Sequence, residues 1–180
     1  MASRELPDYL HPVPSPEAQA AAPEQAPPAG TPGLTPPRQR VHSGSFVTDV
    51  IVELGIASRE QVDEAIEAAR TLDQTPEEIL LNRNVIDAQR LAQATAERYG
   101  LDYVDLAVYR VDTGAATLIS VKTARRYQVV PIAFVDEQTL LLAMADPANV
   151  LALDDVQMAT GLSCRVAVAS AGDIEALVGK

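Results

Sequence analysis

Ten of the 13 prolines in this 180-residue chain lie between Pro7 and Pro37, and that clustering limits where a folded body can begin. Proline fixes φ and has no N–H to give to a helix or a ladder. The residues between these prolines are mostly Ala, Gln, Glu and Gly, with too little bulky apolar surface to offset chain entropy. Residues 1 to about 43 are therefore expected to be a disordered Pro/Ala-rich tail of coil or polyproline II. The alternation of Pro12, Pro14 and Pro16 and the doublets Pro27-Pro28 and Pro36-Pro37 would suit a ligand for a proline-binding domain. A solvated tether is the plainer reading. Met1 to Leu10 carries Arg4, Glu5 and Asp8 with no apolar run behind them, so no signal peptide is expected.

What remains after the tail excludes several chemistries. Both histidines, His11 and His42, belong to the tail or its edge, and Cys164 is the single cysteine. The body thus has no histidine for a Ser-His-Asp or Cys-His pair or for a His/Cys zinc site. No catalytic residue, metal ligand or cofactor is expected. The most obvious acidic pair, Asp154-Asp155, would point about 100° apart on a helix, as a solvated face does. Cys164 sits in an expected strand, where inert packing is preferred over redox work. The net charge of −11, from 14 basic and 25 acidic residues, argues against nucleic acid or anionic lipid as a partner. No apolar run approaches the roughly 20 residues that span a bilayer. A cytoplasmic location without direct membrane insertion is expected.

Helical spacing begins past Phe46. Val47, Val50, Ile51 and Leu54 recur at i, i+3, i+4 and i+7, and Gly55 stops the run. Ser58 with Gln61 reads as a capping box, followed by the stripe Val62, Ala65, Ile66 and Ala69. A second copy follows 29 residues later. Thr75-Pro76-Glu77 starts a helix with Ile79, Leu80 and Leu81, Asn84 stands where Gly55 stood, and Asp87 caps a helix carrying Leu91, Ala94, Thr95 and Arg98. Asn tolerates a left-handed turn better than other non-glycine residues. Residues 44–100 are thus expected to be a duplicated helix-turn-helix layer of four short helices.

Beyond Gly100 the pattern alternates between strand and helix, predicting a small α/β domain over 101–180. Two short helical turns, Thr113 to Ile119 and Val121 to Tyr127, precede a strand over Val129 to Val135, a turn at Asp136-Glu137-Gln138 and a return strand over Thr139 to Ala145. The nearly unbroken apolar run Leu140 to Ala145 suggests the central strand. Asp146-Pro147 should cap and open a helix over Ala148 to Ala159, with Val150, Leu151 or Leu153, Val156 and Met158 available for packing. Gly161 ends it, Ser163 to Ala169 forms a strand parallel to the one before the helix, and Ala171 to Val178 is the last helix. The fold class expected is α/β (α+β): a disordered tail, a four-helix layer and a mixed-sheet α/β sandwich. Lys122, Arg125 and Arg126 form the one dense basic cluster and are candidates for binding an acidic partner, although a solvated helix stripe has the same spacing.

No G-x-x-x-x-G-K-[ST] run is present to cradle nucleotide phosphates, so this chain itself is not expected to hydrolyse ATP. Leu101-Asp102-Tyr103-Val104-Asp105-Leu106, Ala124-Arg125-Arg126-Tyr127 leading to Val130-Pro131-Ile132, Leu142-Ala143-Met144-Ala145-Asp146-Pro147-Ala148-Asn149-Val150, Leu153-Asp154-Asp155 and Thr160-Gly161 together resemble the N-terminal domain of type II secretion and type IV pilus assembly ATPases. The resemblance is strong over 101–180 and looser over 45–100. It implies a non-catalytic adaptor that docks a motor ATPase domain, if one is present downstream, to an inner-membrane platform protein, and hence a location peripheral to that membrane through partners. Some relatives bind cyclic di-GMP through the duplicated unit, which gives the alternative of a regulatory sensor. That binding uses an Arg-Leu-Gly start, the turn glycine and a terminal Gln in each copy. Here copy one has Phe46-Val47-Thr48, Gly55 and Ala69, and copy two has Thr75-Pro76-Glu77, Asn84 and Arg98. Gly55, Asn84 and Arg98 are the resulting candidates, and Glu77 would repel a phosphate.

Overall fold

The computed structural model describes residues 31–38 and 46–179. The duplication is visible in its geometry. Helices α1 (Val47–Glu53) and α2 (Arg59–Leu72) are repeated 29 residues on as α3 (Pro76–Asn82) and α4 (Ala88–Tyr99). The N-caps also repeat at that offset. Ser58 and Asp87 accept from the third backbone N–H of α2 and α4, and Thr75 does so for α3. Phe46, which has no side-chain oxygen, is the exception, and its own N–H donates instead to Asp49 Oδ2 at 3.1 Å. After α1, Ile56 N donates to Ile51 O at 3.0 Å; after α3, Val85 N donates to Leu80 O at 2.9 Å. Val50, Ile51, Val62, Ala65, Ile79 and Leu80 fill the core between the helices.

The α/β part is built on a mixed sheet in the order β1-β2-β5-β4-β3, with β1 (Leu34–Thr35), β2 (Asp102–Val104), β3 (Val129–Asp136), β4 (Thr139–Met144) and β5 (Ser163–Val168). The inner pairs β2/β5 and β5/β4 are parallel, and the outer pairs are antiparallel. The helices of this part are α5 (Thr113–Ala116), α6 (Val121–Tyr127), α7 (Val150–Thr160) and α8 (Ala171–Val178). The fold is mixed α/β, with eight helices and a five-stranded sheet among the described residues. Pro131 is accommodated because β3 lies at the sheet edge, where a missing N–H can face outward. Asp102, 5% exposed, is neutralised across the β2/β5 pair by Arg165 at 3.1 Å.

Four expectations need correction. β4 is interior and buried from Leu140 to Met144, but β5 is the middle strand, because the tail supplies an extra strand on the far side of β2. Asp146 does not cap α7; its Oδ1 accepts from Ala148 N at 3.0 Å and folds Asp-Pro into a turn, while Asn149 accepts from Ala152 N at 3.1 Å and is the true cap. On α7 Ala152 and Val156 are buried and Leu153, one of the two leucines expected to pack, lies partly buried against the core, whereas Val150, Leu151 and Met158 face outward. Most of the tail lies outside the described residues. Its part at 31–38, however, is ordered against the sheet, because Leu34 and Thr35 pair with Val104 and Tyr103 before Pro36-Pro37 ends the strand.

Helix α4 joins the two parts. Ala94 points into the helical core, whereas Ala92 and Ala96 pack against Tyr103 of β2 and Val168 of β5. Methyl side chains let the helix sit close to the sheet, so one element serves two cores.

Candidate functional site

Gly55 and Asn84 hold equivalent left-handed turns, at φ +67° and +55°. Neither lines the cleft that holds Arg98. That cleft, of about 580 Å³, lies between α3 and α4 on one side and Gln128, Asp146 and Ser170 on the other, and Thr75, Glu77 and Glu78 share its wall. Arg98 stacks over its own neighbour Tyr99, 4.8 Å from the ring centroid, with Nη1 3.0 Å from the Tyr99 hydroxyl. Thr75 Oγ1 and the Glu78 carboxylate are committed to each other's backbone N–H at 3.2 and 2.9 Å. The structure therefore brings Arg98 together with two glutamates and leaves the turn residues elsewhere.

Lys122, Arg125 and Arg126 are exposed on α6, which Ser120 caps and Ala124 anchors inward. Among the described residues, no ion pair engages any of the three. Arg126 lies 5.2 Å from the Tyr127 ring centroid. Tyr127 Oη donates to Asp155 Oδ2 at 2.5 Å, tying α6 to α7. That bond, together with burial, pushes the Tyr127 hydroxyl above its ordinary pKa. Asp155 is thus a structural acceptor, while Asp154 stays exposed. Alongside this pair α7 exposes Leu151 (72%) and Met158 (79%), one heptad apart on the same face. Sequence reading missed this surface, because the same residues are equally good core candidates by spacing.

Cys164 is half-buried, with Sγ 3.8 Å from Leu162 O. Burial pushes the thiol's pKa up, which lowers its thiolate fraction and its reactivity. Among the described residues no group of three or more His, Cys, Asp or Glu could hold a metal ion, and no helix is long and apolar enough to cross a membrane.

Residues 99–180 match the MshEN domain family. The type IV pilus assembly ATPase PilB of Thermus thermophilus is 40% identical over 98 residues, 53% of this chain. Over this part the chain is similar in sequence to the N-terminal domains of type II secretion and type IV pilus assembly ATPases. PilB of Pseudomonas aeruginosa is 32% identical over 84 residues, 47% of this chain. The chain spans only 11% and 15% of the lengths of these two PilB proteins. The likeness in fold reaches beyond the matched residues. A structure of MshE with cdg superposes with a TM-score of 0.63 at 24% identity, covering 75% of this chain and 97% of that one. The N-terminal domain of XpsE gives 0.56 at 20%, covering 74% and 91%.

Proposed function

We propose that this chain is the non-catalytic interaction part of a secretion or pilus assembly ATPase and docks the motor to a cytoplasmic region of an inner-membrane platform protein. The observation that carries this reading is the surface formed by α6 and α7. Two adjacent helices, joined by the Tyr127–Asp155 hydrogen bond, present exposed cations without an ion pair among the described residues on one and large apolar side chains on the other. Residues such as Leu151 and Met158 gain by being covered, at roughly 25 cal/mol per Å² of apolar surface. Lys122, Arg125 and Arg126 would select an acidic rim around that contact. The test is titration of the chain with the cognate platform's cytoplasmic domain. Leu151→Glu with Met158→Glu should weaken binding at least about tenfold, or about 1.4 kcal/mol, and leave the thermal midpoint unchanged. Charge reversal at Lys122, Arg125 and Arg126 should slow association and remove its salt dependence. Binding that survives both changes, or that resides in residues 1–43 alone, would overturn the reading.

Sensing of cyclic di-GMP is the second reading, favoured by the likeness in fold to MshE, whose structure is with cdg. The residues present argue against it. Phe46 and Thr75 stand where an Arg-Leu-Gly start would place a cation, and Glu77 and Glu78 share the cleft of Arg98. Calorimetry with the dinucleotide separates the readings, and micromolar binding that Gly55→Val abolishes would favour the sensor.

A further inference from the structure

The ordered piece of the tail, residues 31–38, runs along the sheet edge and over the face of α4. Leu34 and Thr35 pair antiparallel with Val104 and Tyr103, and Asp105 N donates to Gly33 O at 2.8 Å. Gly33 fits where no other residue could: its φ is +82°, and a Cβ there would lie 2.7 Å from Tyr109 N and 2.9 Å from Asp105 O. Leu34 packs against the α/β core. Pro36, Pro37 and Arg38 then cross a small hollow of about 190 Å³ walled by Leu54, Gln93, Ala96, Glu97, Leu101 and Tyr103. At its end the Arg38 N–H donates to both carboxylate oxygens of Glu97, each at 2.9 Å. With the segment in place Glu97 is only 8% exposed, and the two charge-assisted bonds from the Arg38 N–H satisfy its carboxylate there.

These are the parts of a peptide site. There is a strand edge that supplies ladder bonds, a spot that admits only glycine, a place for one leucine, a proline-lined crossing and a charged anchor for a main-chain donor. We propose that the β2 edge and the adjoining face of α4 form a groove for an extended Gly-Leu-Thr-Pro-Pro segment, and that residues 31–38 are an exchangeable occupant, replaceable by the same segment of a second copy of this chain. The short connection from Arg38 to Phe46 gives the chain's own segment an effective concentration on the order of millimolar. Exchange is therefore confined to assemblies that hold several copies close together.

The 180-residue chain carrying Gly33→Val tests this, because the added side chain expels its own segment while leaving β2 and α4 unchanged in sequence. Backbone amide NMR spectra are recorded with a wild-type peptide spanning residues 29–40. The variant should show saturable shifts at Val104, Asp105 and Glu97, the wild-type chain should show little change at the same peptide concentration, and a Gly33→Val peptide should do nothing to either. A folded variant that the wild-type peptide leaves unchanged overturns the proposal. If Gly33→Val does not fold, a protease site placed within residues 40–44 of the wild-type chain replaces it. After cutting, the tail fragment should leave on dilution and labelled peptide should take its place. A body that loses its dispersed spectrum on cutting, or that refuses the peptide, would show residues 31–38 to be core rather than ligand.

Discussion

At Gly55 nothing lies within 4 Å of where a Cβ would stand, so the left-handed backbone alone resists a side chain. Gly55→Ala should cost about 1 kcal/mol in urea unfolding. Gly55→Asn should cost about half as much, because the second copy already solves the same turn with Asn84 at φ +55°. Equal losses for the two variants would mean that the turn is held by something other than backbone conformation. Tyr103 gives a pH prediction. Burial, with Asp105, Asp173 and Asp87 nearby, pushes its hydroxyl up to about 12 from an ordinary 10. The neutral phenol is the form the fold favours. The stability this contributes is complete below pH 10 and is lost as pH rises from 10 towards 12. Urea midpoints should therefore fall more steeply over that interval in the wild type than in Tyr103→Phe. The turn residues were legible from sequence because Gly and Asn advertise a positive φ. The surroundings of Tyr103 and of Arg98 were not, since both depend on which parts of the chain the fold brings together.

Single elements of this fold carry two duties, and periodicity reports only one of them. Ala94 of α4 sits in the helical stripe that the spacing predicts, but Ala92 and Ala96 form a second buried face against Tyr103 and Val168. Alanine is small enough to be read as a solvated position, so the second interface left no trace in the hydrophobic pattern. Ala96→Leu, which overfills a site 2% exposed, should cost about 1–3 kcal/mol. Gln89→Leu, at an exposed position of the same helix, is the control and should stay within about 0.5 kcal/mol. A similarly small effect at both sites would show that α4 does not press on the sheet. Helix α7 errs in the opposite direction. Its spacing offers five apolar candidates, of which Leu153 and Val156 join Ala152 on the inward face while Val150, Leu151 and Met158 stay outside it. Which side of an apolar helix turns inward is decided by the sheet it packs on, which is why the outward apolar surface could not be read from spacing alone.

On the scale of the whole molecule, both the β2 edge and α4 belong to two structures at once, and this bears on cooperativity. The helical layer has its own core, but a unit of this size buries too small a fraction of its surface to be more than marginally stable by itself. What raises it above that margin is the cover that Tyr103 and Val168 give to α4. Loss of either part therefore exposes apolar surface on the other. The chain should unfold in urea as one transition, with far-ultraviolet circular dichroism and near-ultraviolet tyrosine signals coinciding. Residues 46–100 made alone should melt broadly, without a cooperative step. Two resolved transitions in the whole chain, or a sharp melt in the fragment, would mean that the helical layer and the α/β part are two independent modules. In that case a partner docked on α6 and α7 could not influence the duplicated helices through α4.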